Sequence, residues 1–135
     1  MNLQRKDCKT TCPQQEAKKK FSEGMKRLWH GRCALTRLGI PELLRATPAK
    51  PWLDCSPAER ADCYNGLLLE IRLAVLFFNV HISFDDAGAL LISNKLDSEQ
   101  IRKLGLRELQ WLPWVNPRHL PYFQWHREHV FKHRK

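Results

Sequence analysis

A chain of 135 residues with a formal charge of +9 has the length of one domain and a bias toward anionic partners: phosphate, anionic lipid headgroups or acidic protein surfaces. Its five cysteines, Cys8, Cys12, Cys33, Cys55 and Cys63, match no zinc or disulfide framework. They read as free thiols of a reducing compartment, with a Cys8–Cys12 bridge left open. No apolar h-region follows the charged N-terminus, so no secretory signal is expected. No apolar run reaches the roughly 20 residues of a membrane span.

The charge is unevenly laid out. Residues 1–60 hold 13 Lys/Arg against 6 Asp/Glu, residues 61–110 hold 5 against 7, and residues 111–135 hold 5 against 1. Basic ends therefore flank a near-neutral middle. The sequence predicts an extended or disordered arm over residues 1–12 and a single helical domain over 13–135. Pro13 opens a helix to about His30, in which Phe21, Met25, Leu28 and Trp29 make one apolar edge beside the basic run Lys18, Lys19 and Lys20. Gly39 reads as a stop and Pro41 as the start of a short helix to Ala46. Pro48 and Pro51 then mark an extended linker.

The central stretch, Ser56 to Ile82, carries a full helix start. Ser56 caps, Pro57 takes the first helical position, and Glu59 completes a capping box. Tyr64, Leu68, Ile71, Val75, Phe78 and Ile82 recur at alternating spacings of four and three, and further leucines widen that stripe until only Glu70 and Arg72 stay polar. The pattern predicts one long helix, buried almost all round. The run Leu67–Phe78, interrupted by two charges, is too short and too polar to cross a bilayer. After it, Asp85, Asp86 and Gly88 mark a turn leading to a brief apolar run, strand or loop. A helix from about Ser98 to Leu109 follows, capped by Asp97, and another opens at Pro121. Between them lies an extended segment rich in proline and aromatics. The predicted fold class is all-α, with at most one short hairpin.

Little in the chain resembles catalytic machinery. His126, His129 and His133 share a helical face, yet no carboxylate or cysteine supplies a further metal ligand. His81 has only Asp85 and Asp86 nearby and no nucleophile to activate. Phosphate-binding glycine loops, HExxH and nucleophile elbows are absent. The expectation is no catalytic, metal or cofactor site and no small-molecule substrate. Five tryptophans, Trp29, Trp52, Trp111, Trp114 and Trp125, point instead to partner contact, protein ahead of single-stranded RNA.

Several spacings carry a resemblance. Tyr64-Asn65, Ile71, Ala74 and His81 follow the order of the central helix in the small matrix-side subunit of the mitochondrial cytochrome bc1 complex. This is subunit seven, the ubiquinol–cytochrome c reductase binding protein family. Arg37-Leu38-Gly39-Ile40 resembles that family's Lys-Leu-Gly-Leu turn, with Trp29 at its upstream aromatic pair. Leu96-Asp97-Ser98-Glu99-Gln100-Ile101 and Trp111-Leu112-Pro113-Trp114-Val115 resemble its later helix start and aromatic segment. Pro41-Glu42, Glu70, Leu73 and the extra residues Ser83–Lys95 depart from its pattern. The resemblance implies a non-catalytic structural and assembly subunit of respiratory complex III, carrying no cofactor. Such a subunit lies peripherally on the matrix side of the mitochondrial inner membrane, against cytochrome b, the core subunits and an anionic membrane surface, with no nucleic acid. Its implied partner contacts are Trp29, Arg37, Tyr64, Ile71, His81, Trp111, Trp114, Tyr122 and Trp125. The alternative is an RNA-contacting protein of a mitochondrial ribosome, holding phosphate with Lys18–Lys20, Arg27, Arg32 and the C-terminal His/Arg helix.

Overall fold

A computed structural model describes residues 13–129 and Phe131. The 1–12 arm, Cys8, Cys12 and His133 lie outside the described residues. The helix α1 (Pro13–Leu28) forms as expected and seals Phe21, Met25 and Trp29 into the core, with Leu28 partly buried against it.

The all-α expectation is overturned. Where a helix was predicted to reach Ala46, the chain makes a single 3-10 turn at Pro41–Leu43 and enters strand β1 (Leu44–Thr47). The long central helix is three elements instead of one. The Ser56 capping box is present, with Ser56 Oγ accepting the Glu59 N–H and Glu59 accepting the Ser56 N–H, but it starts only the one-turn helix α2 (Pro57–Arg60). Strand β2 (Leu67–Glu70) follows, then helix α3 (Ile71–Phe78).

β1 and β2 pair antiparallel, Leu44 opposite Glu70 through Thr47 opposite Leu67. Leu67, Leu68 and Leu69 are each 0% exposed. Successive strand side chains point to opposite faces, so both faces of this small sheet are covered. Both strands contact α1 and α3. An apolar run of this length satisfies a doubly buried strand as well as a buried helix, which is why period alone misreads it.

Two residues fix the junctions. Gly66 has φ +113°, and a Cβ there would lie 1.9 Å from the Thr47 carbonyl oxygen, so only glycine fits. Glu70 is buried and caps α3, accepting the Arg72 N–H at 2.8 Å and pairing with its guanidinium at 2.9 Å. The two charges that interrupt the apolar run are thus the strand-to-helix corner. Asn65, fully buried, accepts the Ala49 and Lys50 N–H groups and donates to the Lys50 carbonyl. It pins the Pro48–Pro51 connection to the start of β2.

The second sheet is the hairpin expected around Asp85. Strands β3 (Ile82–Phe84) and β4 (Leu90–Ile92) pair antiparallel. Asp85 Oδ1 accepts the Ala87 and Ala89 N–H groups, closing an Asx-type turn. Helix α4 (Ser98–Leu104) is capped by Asp97, as its sequence indicates. It stops short of Leu109 because Gly105 takes a left-handed φ of +70°. Helix α5 (Leu120–His129) packs on β3. Among the described residues no helix is long and apolar enough to cross a membrane.

Candidate functional site

Buried titratable groups come first, because activated side chains mark catalytic sites. Ser83 and His126 pair as a nucleophile and base would, Oγ to Nδ1 at 2.7 Å. His126 Nε2 meets the Phe77 carbonyl at 3.1 Å. A carbonyl only accepts, so Nε2 carries the proton, Nδ1 accepts, and the Ser83 hydroxyl donates. Ser83 is 0% and His126 3% exposed. Burial lowers the His126 pKa to about 4. With no opening for a substrate, the pair is a structural tie between the hairpin and α5, and His126 has no nitrogen left for a metal.

His119 sits in an aromatic cluster with Trp29, Trp114, Tyr64 and Phe123. Its Nδ1 accepts the Asn116 N–H at 3.0 Å, and burial lowers its pKa to about 4. Trp29 stacks on Trp114 at 4.8 Å and is fully buried, so this predicted contact residue belongs to the core. His81 caps the end of α3 through its backbone: its N–H donates to the Leu76 carbonyl and its carbonyl accepts the Ser93 N–H.

A polar cleft of about 520 Å³ lies between α2 and α5, walled by Lys50, Glu59, Asp62, Arg118, Tyr122 and Trp125. Its charges are spent on one another. Asp62 accepts the Tyr122 hydroxyl at 2.8 Å and also the Tyr64 N–H. Lys50 pairs with Glu59 at 3.1 Å. Burial, with Asp62 accepting its hydrogen bond, pushes the Tyr122 hydroxyl well above the usual phenol range. A neutral, donating Tyr122 and a Glu59 held below the usual carboxylate range by the Ser56 backbone and Lys50 leave no poised acid or base here. Tyr64 lies at the rim under Arg118, 4.3 Å away.

A second groove differs. A groove of about 380 Å³ runs between α1 and β1, with Lys18, Ser22 and Lys26 along the helix, Leu44, Arg45 and Ala46 along the strand, and Phe21, Pro48 and Trp52 between them. It holds three cations and no acidic lining residue. Trp52 is flanked by Lys18 at 5.7 Å and Arg60 at 6.0 Å. Spacing i, i+4, i+8 places Lys18, Ser22 and Lys26 on one helix face, spanning about 12 Å. Sequence reading singled out Lys18 for its neighbours Lys19 and Lys20. It missed Lys26, two turns on along the same helix, and Arg45, which the packing of β1 against α1 brings opposite them.

A third surface is apolar. Ile71, Val75 and Phe78 on α3 are 40%, 53% and 67% exposed, so the stripe expected to be buried is half open. Its Tyr64 and Ile82 ends sit elsewhere, on a turn and on β3. Trp111 is also exposed, beside the hairpin. Arg37 is exposed at φ +68°, and its carbonyl accepts from Arg32. The structure therefore gathers Trp29, Tyr64 and Trp114 around His119 and places Tyr122 and Trp125 in the polar cleft. Arg37, Ile71, His81 and Trp111 lie apart. Cys33, Cys55 and Cys63 are free, and among the described residues no cluster of His, Cys, Asp or Glu is suited to a metal.

Compared with known protein families and with characterised proteins, the chain matches none.

Proposed function

We propose that this is a non-catalytic binding protein whose basic groove beside Trp52 takes an anionic macromolecular partner. The observation that carries the reading is the acid-free lining, Lys18, Lys26 and Arg45 around an apolar floor. Several other cations are paired with carboxylates, as at Lys50–Glu59, Arg118–Asp62 and Arg127–Asp86, whereas these three are not so paired among the described residues. Cations left together without carboxylate partners attract negative charge over a distance and set partner choice. The two pairings that resemble catalytic ones, Ser83–His126 and Tyr122–Asp62, are committed to internal hydrogen bonds.

A matrix-side subunit of the cytochrome bc1 complex is the specific form of this reading that residue spacing supports, with cytochrome b, the core subunits and the inner-membrane surface as neighbours. That support comes from segments outside the central stretch, because Tyr64 and Asn65 lie on a turn and not on the helix bearing Ile71 and Ala74. Co-purification with cytochrome b from mitochondria tests it.

Fluorescence titration with polyglutamate and with single-stranded RNA tests the groove. The expected result is salt-sensitive polyglutamate binding, weakened about tenfold or more when Lys18→Glu and Lys26→Glu are combined. Unchanged binding in that variant overturns the assignment. Tighter binding to RNA, with a steep salt slope lost on reversing Lys19, Lys20, Arg27 and Arg32, transfers the function to nucleic-acid contact.

A further inference from the structure

The hydrogen bonding of the β1–β2 pair shows what kind of acidic partner fits. The Leu68 carbonyl accepts the Ala34 N–H at 2.7 Å, and Ala34 lies outside the pair. In an antiparallel ladder both main-chain groups of a residue point to the same side, alternating along the strand. Leu68 thus faces away from β1, and Ala46 opposite it faces away from β2. The ladder bonds fall on Arg45–Leu69 and Thr47–Leu67, so the Ala46 N–H and C=O stand on the outer edge of β1. Leu44, the other outward residue, is used locally: its N–H bonds Pro41 and its carbonyl takes the Arg45 guanidinium.

That edge opens into the basic groove. Leu44, Arg45 and Ala46 all line it, whereas a groove over one face of the sheet would meet alternate residues only. An exposed strand edge is a template for a further strand, and main-chain pairing supplies affinity while flanking side chains select sequence. The opposite wall supplies Lys18 and Lys26, about 12 Å apart, roughly the length of four extended residues. Trp52, at the end of the groove, has Lys18 beside its ring at 5.7 Å.

We infer that the free edge of β1 accepts an extended acidic segment of a partner protein as a third strand, its carboxylates toward Lys18, Lys26 and Arg45. The inference rests on the groove being the binding site proposed above, and it adds that the partner is held through its backbone. A nucleic-acid backbone has no regularly spaced amide N–H and C=O to match Ala46, which is why a peptide is the occupant chosen.

Calorimetry on the full chain tests it with an acetylated, amidated peptide of alternating Glu and Val, and with the same peptide N-methylated at alternate amides. The unmethylated peptide is expected to bind. N-methylation and Ala46→Pro are each expected to weaken binding about tenfold, the effect of losing one main-chain hydrogen bond. Proline is tolerated there because that N–H makes no ladder bond, and the methylated peptide carries the test if the variant does not fold. If Lys18→Glu with Lys26→Glu abolishes binding while Ala46→Pro and N-methylation change nothing, the groove reading stands and strand addition is overturned. If the peptide does not bind at all, both fail.

Discussion

The two sheets differ in what holds them and in what they leave open. The β3–β4 hairpin is local: Asp85 organises its turn, the 110–112 segment closes the outer edge of β4 through Leu90–Gln110 and Leu112–Gly88 bonds, and Arg127 takes the outward Phe84 carbonyl. The β1–β2 sheet joins segments some twenty residues apart, depends on Gly66 and Asn65 for its approach, and leaves Ala46 unpaired at its rim. A closed edge is what a structural hairpin needs. An open edge beside three uncompensated cations is what a recognition site needs.

The largest expected effect breaks the long-range sheet alone. Gly66→Ala puts a methyl into the Thr47 carbonyl at a left-handed φ, which should cost about 3 kcal/mol or more. Urea denaturation measures it, and a cost near 1 kcal/mol would mean the β1–β2 approach is looser than described.

Acid should act through the buried histidines. His119 and His126 are held neutral, each with its pKa lowered to about 4 by burial. Between that value and the ordinary 6.5 the unfolded chain binds more protons than the folded one. Their stabilisation is therefore complete above pH 6.5 and is lost as pH falls toward 4, by on the order of 3 kcal/mol per buried histidine. Melting temperature should drop steeply across that window. His126→Phe should remove part of the slope.

Ser83→Ala leaves His126 Nδ1 buried without a donor and should cost about 1–3 kcal/mol, again read by urea denaturation. Phe78→Ser should shift stability by no more than about 0.5 kcal/mol, as for other exposed positions. A loss of several kcal/mol would instead mean that the α3 ridge is covered, as the sequence first implied.

How much could be read in advance follows from how local each signal is. The Phe21, Met25 and Trp29 edge of α1, the Ser56 capping box, the Asp97 cap and the Asp85–Gly88 turn are all written within a few residues, and all are present. Leu67–Glu70 was misread because three consecutive leucines fit either period. The signal that separates the readings is Gly66, a residue poorly suited to a helix interior and required here by the close Thr47 carbonyl. The groove was partly legible. Lys18 and Lys26 share a helix face that is written in the sequence, but Arg45 joins them only through packing across the chain. An outward-pointing main-chain group at Ala46 leaves no mark in residue types at all.

Amide hydrogen exchange of the free protein, read residue by residue along β1, tests the central claim most directly. The Arg45 and Thr47 amides, in the ladder, should be protected, while the Ala46 amide between them exchanges rapidly. Equal protection at all three positions would contradict an open edge, and equal exposure at all three would contradict the sheet.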